Sequence, residues 1–336
     1  MAYAAHFVKN FASSKFSWLM MLSVILAFLF PELVQKDSVI PLSMLAKGGV
    51  VIIFFIYGAS LSINSLTEGF LNWRIYAICQ FFTFIVFPIL GIVLYAIAQI
   101  CLTSPIELGF IFLTALPSTI SSCVSLTAIA RGNIPAAVFN ATLSCLLGFF
   151  ITPIIVTLAI SSKQNDLLIL DPITHIILIL LLPLIVGQLF RQSIKHLIEK
   201  NRTTTHAIER GVILLIIFNS FSESVNEGVW WKFHFFEIAT IFAMITLVLC
   251  FVLVFSIMSA RLVGLSRENE VVVVFCGTSK SLANGVPISQ VLFSDLQGSG
   301  LLLLPLLIFH QLHMLVCSLL ANHYLKKFKN RLDLTN

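Results

Sequence analysis

The sequence predicts an all-α polytopic membrane protein, on three observations. Hydrophobic residues make up 58% of the 336 residues and charged residues only 10%, whereas soluble domains average about 25% charged residues. The apolar residues form runs long enough to cross the roughly 30 Å hydrocarbon layer, which takes about 20 helical residues. Basic residues are concentrated in alternate loops. The net charge of +5 therefore follows from topology and requires no nucleic-acid partner.

Ten apolar runs are candidate transmembrane helices, which we number in chain order as spans. They are approximately Phe16–Phe30, Met44–Ile63, Trp73–Leu94, Leu108–Ala130, Pro135–Ile160, Ile173–Phe190, Gly211–Phe221, Ile238–Leu262, Val271–Phe293 and Gly300–Leu325. The seventh run is short. Because Lys and Arg in short loops stay on the cytoplasmic side, the charge pattern predicts an inner-membrane protein with both termini cytoplasmic.

The spans divide into two groups of five that enter the membrane from opposite sides, which predicts an inverted repeat. By this division residues 1–190 hold the first five-helix repeat and the sixth span. Residues 191–210 form a basic cytoplasmic linker, and residues 211–336 hold spans seven to ten, which complete the second repeat. Polar breaks interrupt the fourth span of each half, at Pro117–Thr119 and at Cys276–Ser281. Transporters build binding sites at such paired breaks, because unwound backbone in a membrane must be buried in protein or line a wet cavity.

Each break is followed by a half-helix, residues 119–130 and 281–293, that begins near the middle of the membrane. Helix N-termini carry free N–H groups and partial positive charge, which suit an anion. Lys280 would either attract an anionic substrate, supply a fixed positive charge in place of a bound cation, or only tie unwound carbonyls together. The predicted substrate-binding residues are Thr119, Ser279, Lys280, Ser281, Asn284 and, in the last span, His310.

Hydroxyl and amide oxygens, which are hard donors of the kind that ligate sodium, are concentrated in the fourth and fifth spans. The candidates are Ser121, Ser122, Asn140 and Ser144, of which Asn140 and Ser144 share one helical face. Sodium is thus a candidate coupling ion, and no other cofactor is expected. No Walker loop, dinucleotide fingerprint or nucleophile elbow is present, and no Asp or Glu falls in the middle of a span. An enzyme and an ATP-driven pump are therefore not expected.

Residues 117–133, with the close match Ala130-Arg131-Gly132-Asn133, resemble the fourth-helix signature of the bile acid:sodium symporter superfamily. Residues 278–282 are similar to its divergent sodium/bile acid cotransporter 7 branch. The resemblance implies broken, crossing helices four and nine, and a core domain of helices three to five and eight to ten. This core would move against a panel domain of helices one, two, six and seven, with an organic anion in the crevice between them.

The resemblance also implies two sodium sites. Ser121, Ser122, Asn140 and Ser144 fall near the first site, and Gln80 with residues 276–280 near the second. Two departures affect the second site, because Cys276 or Gly277 stands where a sodium-binding glutamate is expected and Lys280 stands at a glutamine position. At about 4 Å, two like charges repel by roughly 4 kcal/mol at an effective dielectric of 20. Lys280 is therefore predicted to replace the second sodium ion.

These observations predict a secondary transporter for a small organic anion that works by alternating access, with sodium coupling left open. The alternative is a membrane regulatory protein that affects ion homeostasis through partners and transports nothing. Apart from the anion and the lipid bilayer, no partner is expected. Neither the substrate nor the oligomeric state follows from the sequence.

Overall fold

A computed structural model describes residues 15–34, 41–60, 73–102, 105–164, 170–232, 234–293 and 296–333. These residues form helices and no strand. The α-helices are α1 Lys15–Leu29, α2 Leu42–Ser60, α3 Trp73–Phe81, α4 Phe87–Cys101, α5 Ile106–Ala115, α6 Ile120–Ile129, α7 Ile134–Gln164, α8 Leu170–Leu189, α9 Arg191–Lys200, α10 Arg202–Asn226, α11 Phe235–Leu262, α12 Arg267–Thr278, α13 Leu282–Leu292 and α14 Ser299–Asp333. A π-helical turn, Phe82–Val86, joins α3 to α4. The chain termini, for which a cytoplasmic location is predicted, lie outside the described residues.

The described helices confirm an integral membrane protein. Six of them are long and apolar enough to cross a membrane, and the number becomes seven if α5 and α6, which meet at a 61° bend, count as one span. Shorter apolar helices cover Phe16–Leu29 and Leu180–Leu189. The ten-helix inverted repeat stays a prediction.

The predicted linker and seventh span are where the structure departs most from the sequence-based expectation. Residues 191–210 are helical, since α9 is followed after one residue by α10, which extends well beyond the predicted Gly211–Phe221 at both ends. Glu209 and Glu223 lie in these extensions and bond to the Tyr57 hydroxyl and the Asn219 amide. Charged side chains with partners inside the protein let a helix continue where the hydropathy of the sequence falls.

The helices pack in two groups that meet along a seam. Helices α1, α2, α8 and α10 pack on one another, and so do α3 to α7 with α11, α12 and α14. Half-helix α13 lies at the seam, where it contacts α2, α8 and α10 on one side and α7 and α14 on the other. Movement of one group past the other would therefore change the surroundings of α13.

Two glycines allow α2 and α8 to approach backbone to backbone. Gly58 of α2 lies against the carbonyl of Leu184, and Gly187 of α8 lies against the carbonyl of Phe55. A methyl group at either position would overlap backbone atoms, which cannot rotate away as a side chain can. The close packing of these two helices therefore depends on the glycines.

We expect Gly58→Ala to destabilise the protein by about 1–3 kcal/mol, the usual cost of overpacking an interior. The measurement is the thermal unfolding of the purified protein in detergent. Gly48→Ala, in the same helix, is the matched control, because nothing lies within 4 Å of a Cβ added at Gly48. Equal unfolding temperatures for the two variants would contradict the close contact.

Candidate functional site

The first break lies between α5 and α6 and is caused by Pro117. The residue before a proline is disfavoured in the helical conformation, and Leu116 has extended dihedrals, φ −67° and ψ 149°. Pro117 also lacks the N–H that would continue the helical hydrogen bonds. Thr119 then occupies the N-cap position of α6, although its side chain makes no capping bond.

The second break lies between α12 and α13. Ser279 is extended, with φ −82° and ψ 153°, and Ser281 is the N-cap of α13. The Ser281 hydroxyl oxygen accepts a hydrogen bond from the backbone N–H of Asn284 at 3.1 Å. Both half-helices thus begin and end within one residue of the predicted bounds, 119–130 and 281–293, which confirms this part of the prediction.

The two breaks contact each other directly. The backbone N–H of Ser281 donates to the carbonyl of Pro117 at 2.8 Å, and the hydroxyl oxygens of Ser118 and Ser279 are 2.7 Å apart. The Cys123 sulfur lies 2.8 Å from the Ser279 hydroxyl oxygen. The polar groups that unwinding exposes are therefore paired across the crossing.

Lys280 is almost completely buried at this crossing, with 1% of its surface exposed. Its Nζ atom donates to the carbonyl oxygens of Thr83 at 2.9 Å, Thr114 at 2.7 Å and Leu116 at 2.7 Å. A neutral amine has only two N–H donors, so three carbonyl acceptors match the three donors of the ammonium form. Nζ also lies 4.2 Å from the centroid of the Phe87 ring, in a cation–π geometry.

Local backbone structure leaves each of the three carbonyls free for Lys280. In the π-helical turn the N–H of Phe87 bonds to Phe82, and the next residue, Pro88, has no N–H for the Thr83 carbonyl. Thr114 and Leu116 lie at the C-terminal end of α5, where carbonyls lack helical partners. There the N–H of Ser118, which would continue the helix onto Thr114, bonds instead to the Ser144 hydroxyl at 2.9 Å.

The predicted sodium ligands include polar atoms with a hydrogen-bond partner and buried oxygens without one. The Gln80 amide donates to the side-chain oxygen of Asn140 at 3.0 Å, which joins α3 to α7. Ser144 accepts from Ser118, and Ser121 is exposed. The Gln80 Oε1 atom and the Ser122 hydroxyl are buried without a hydrogen-bond partner, and such oxygens suit a cation.

The remaining predicted residues lie on both sides of the crossing. Asn284 of α13 donates through its amide to the Cys145 sulfur of α7 at 3.2 Å. His310 is partly buried in α14. It is His313 that contacts the ninth-span break, with its Nε2 atom 3.2 Å from the Thr278 hydroxyl.

The sequence-based reasoning missed the partners of Lys280. Thr83 and Phe87 were not among the candidates, although Pro88 in the middle of an apolar run signals a carbonyl without a donor. Thr114 and Leu116 contribute only backbone oxygens, for which side-chain identity gives no indication. The break itself was the only sequence signal for them.

Comparison with known proteins gives consistent matches along the chain. The model of the SBF-like CPA transporter family matches residues 14–326. The "Uncharacterized protein PA2026" of Pseudomonas aeruginosa is 35% identical over 318 residues, 95% of each chain. "Putative symporter YfeH" of Escherichia coli is 34% identical over 301 residues, 90% of each chain. Sodium/bile acid cotransporter 7 of Danio rerio is 28% identical over 277 residues, 81% of each chain. The resemblance seen at residues 117–133 is confirmed, and the family is one of transporters and not of enzymes.

We expect Lys280→Met to lower stability by about 1–3 kcal/mol, because it leaves buried carbonyls without a donor. Thermal unfolding in detergent measures the effect. Lys327→Met is the matched control, since Lys327 is exposed on α14, and it should unfold at the wild-type temperature. If the two variants behaved alike, the ammonium would not hold the crossing together.

Proposed function

The protein belongs to the SBF-like CPA transporter family, and we propose that it is a secondary active transporter that carries a small organic anion by alternating access. The observation that carries the proposal is the crossing of two broken helices around the Lys280 ammonium. A buried cation beside two half-helix N-termini makes a region of positive potential inside the membrane. An anion is the ligand that such a region attracts.

The proposed architecture has ten transmembrane helices in two inverted five-helix repeats. The apolar helices that exceed or approach span length, together with the 25-residue α10, supply the spans. Both breaks occupy corresponding spans in the two halves. The two packing groups are suited to act as panel and core domains, with the seam along α13 as the crevice that opens alternately to each side. Both termini are proposed to be cytoplasmic, in the inner membrane.

The anion is proposed to bind at the first turns of α6 and α13. The predicted residues at or next to these turns are Thr119, Ser279, Ser281 and Asn284. Lys280, which is buried at the crossing, supplies positive charge. His310 would line the cavity from α14. Because all three ammonium protons are taken by carbonyls, Lys280 would act on the anion through its field rather than by direct contact.

Sodium is the proposed coupling ion, with Ser121, Ser122, Asn140 and Ser144 at its site and Gln80, which is bonded to Asn140, beside it. The unpaired oxygens of Gln80 and Ser122 support this assignment. Lys280 would stand in place of a second ion, since its ammonium already has the carbonyl shell that a bound cation would need. Sodium/bile acid cotransporter 7 of Danio rerio carries sodium in its name, and the ion is proposed here on that likeness as well.

A transport assay separates this proposal from a regulatory protein without flux. A thermal-shift screen against small organic acids would identify a ligand, and uptake of the radiolabelled ligand into proteoliposomes would then be measured. We expect saturable uptake driven by an ion gradient. A folded protein that binds ligand but gives no uptake would support the regulatory alternative.

The sodium site predicts a specific stabilisation. A ligand that binds only the folded state raises stability by RT ln(1 + [L]/Kd), about 2.7 kcal/mol at 100 times Kd. We expect the unfolding temperature to rise with sodium at constant ionic strength, with choline as the replacement ion, and Asn140→Ala to remove the rise. Thr142→Ala is the control that should keep the rise. Thr142 lies on the same helix, and its hydroxyl donates to the backbone carbonyl of Val138, one turn earlier.

Lys280→Gln tests the substitution of a side chain for an ion. If the ammonium replaces a second sodium, its removal should strengthen the stabilisation by sodium beyond that of the wild type. A sodium response in Lys280→Gln that equals the wild-type response would contradict this role.

A further inference from the structure

Tyr57 lies at the seam, where α2, α10 and half-helix α13 meet. Its hydroxyl is 2.7 Å from the Glu209 Oε1 atom of α10 and 3.3 Å from the backbone carbonyl oxygen of Ala283 in α13. The ring packs against Phe54 of its own helix and Phe149 of α7. One hydroxyl thus joins the group that contains α2 and α10 to half-helix α13 at the seam.

The phenol has a single proton for these two acceptors. When Glu209 is ionised, the charge-assisted bond to the carboxylate is the stronger of the two, in agreement with the shorter distance. The phenolic proton is then used within the group that contains α2 and α10. The hydrogen bond from Tyr57 to the Ala283 carbonyl is then weak.

Protonation of Glu209 changes this arrangement. A protonated carboxyl group has an O–H donor of its own, which can bond to the phenolic oxygen. The Tyr57 proton is then free to donate to the Ala283 carbonyl. A proton on Glu209 therefore moves a hydrogen bond from within one group of helices to half-helix α13 at the seam.

We propose that Glu209 is a proton-binding site that, through Tyr57, couples protonation to the attachment of half-helix α13 to α2 and α10. The consequence for transport rests on the proposed function, whereas the hydrogen-bond exchange does not. Ala283 is two residues after the N-cap Ser281 and three after Lys280. The proton therefore acts on the first turn of α13, next to the crossing.

The charged and titratable groups around Glu209 allow it to take this role. His206, on the same helix, has its Nδ1 atom 3.3 Å from the other carboxylate oxygen. Cys145 of α7 is a further titratable group near Tyr57 and Glu209, and the sequence of α13 contains none. With 19% of its side chain exposed, Glu209 can exchange a proton with solvent.

Three further cations near α10 have partners other than Glu209. Arg210 lies over the Phe16 ring of α1, and Lys195 of α9 pairs with Glu199. Helix α14 meets α10 near Gly300 and Ser224, at the opposite end from Glu209. Lys47 of α2 interacts with Glu223, also at that end.

Hydrogen–deuterium exchange of the purified full-length protein in detergent tests the proposal. We expect the amides of peptide 282–292 to gain about fivefold in protection factor when the pH falls from about 7.5 to about 4.5, as one additional hydrogen bond would give. Exchange rates are compared as protection factors, so that the intrinsic pH dependence of exchange cancels. Tyr95→Phe, a tyrosine of α4, is the control that should keep the wild-type response.

Two variants distinguish the exchange of hydrogen bonds from a general effect of acid. Tyr57→Phe should lose the pH response, because no proton remains to donate. Glu209→Gln should be protected at both pH values, since its amide donates as a protonated carboxyl group does. A wild-type pH response in either variant, or no response in the wild-type protein, would overturn the proposal.

Proteoliposome uptake separates this proposal from the proposed function. If uptake of the identified anion occurs and Glu209→Gln removes its dependence on a pH gradient, the site is a coupling site. Uptake without any pH response of peptide 282–292 would overturn the proton site and leave the transporter intact. A pH response as predicted, without uptake, would support the proton site and contradict transport.

Discussion

The buried ammonium of Lys280 is the interaction on which the rest of the site depends. A broken or distorted helix inside a membrane leaves carbonyl groups that lipid cannot hydrogen-bond, and one side chain binds three of them, from Thr83 in the π-helical turn and from Thr114 and Leu116 at the first break. The dependence is mutual, since a desolvated charge needs those carbonyls as much as they need a donor. The carbonyls come from two segments, the turn between α3 and α4 and the end of α5. Lys280 lies in a third, the break of the ninth span, so its hydrogen bonds fix the three segments at one point. The breaks and the lysine therefore form one structural unit.

Two prolines leave carbonyls of this unit without helical partners through local backbone geometry alone. Pro88 leaves the Thr83 carbonyl without a donor, and Pro117 ends α5 so that its last carbonyls are unpaired. The resulting cluster of carbonyl dipoles is a place where a cation is stable, whether it is sodium from solution or the ammonium of a side chain. Tethering the cation removes the entropic cost of binding it, at the cost of fixing its position. The crossing is thus permanently occupied by positive charge, and the half-helix N-termini next to it keep their preference for an anion.

Sequence patterns were sufficient for the features that depend on local chemistry. The membrane class, both breaks and the bounds of the half-helices followed from hydropathy, from Pro117 and from the polar residues around Lys280. The length of α10 did not follow, because Glu209 and Glu223 lower the hydropathy of its two ends. The partner of Glu209, Tyr57, is known only from the packing of the helices. The partner of Glu223, Asn219, is known only once that segment is helical. The partners of Lys280 were out of reach for a similar reason, since backbone carbonyls have no signature in the sequence. Pairings between distant segments are where the reasoning from sequence ended.

A tethered ammonium also limits how such a protein is driven. Its charge never leaves the membrane, so it can neutralise an anion but cannot transfer the free energy of a gradient, which requires an ion that binds the two states differently and is exchanged with solution. A sodium ion at Gln80 would add a positive charge one helical turn from Thr83, whose carbonyl already holds the ammonium, and like charges at such distances repel. A proton on Glu209 instead removes a negative charge on the far side of α13, and it does not compete with Lys280 for carbonyl oxygens. With the ammonium in place, repulsion weakens sodium binding near Gln80 but leaves a proton on Glu209 unaffected, so the proton can act beside the sodium ion without the same electrostatic penalty.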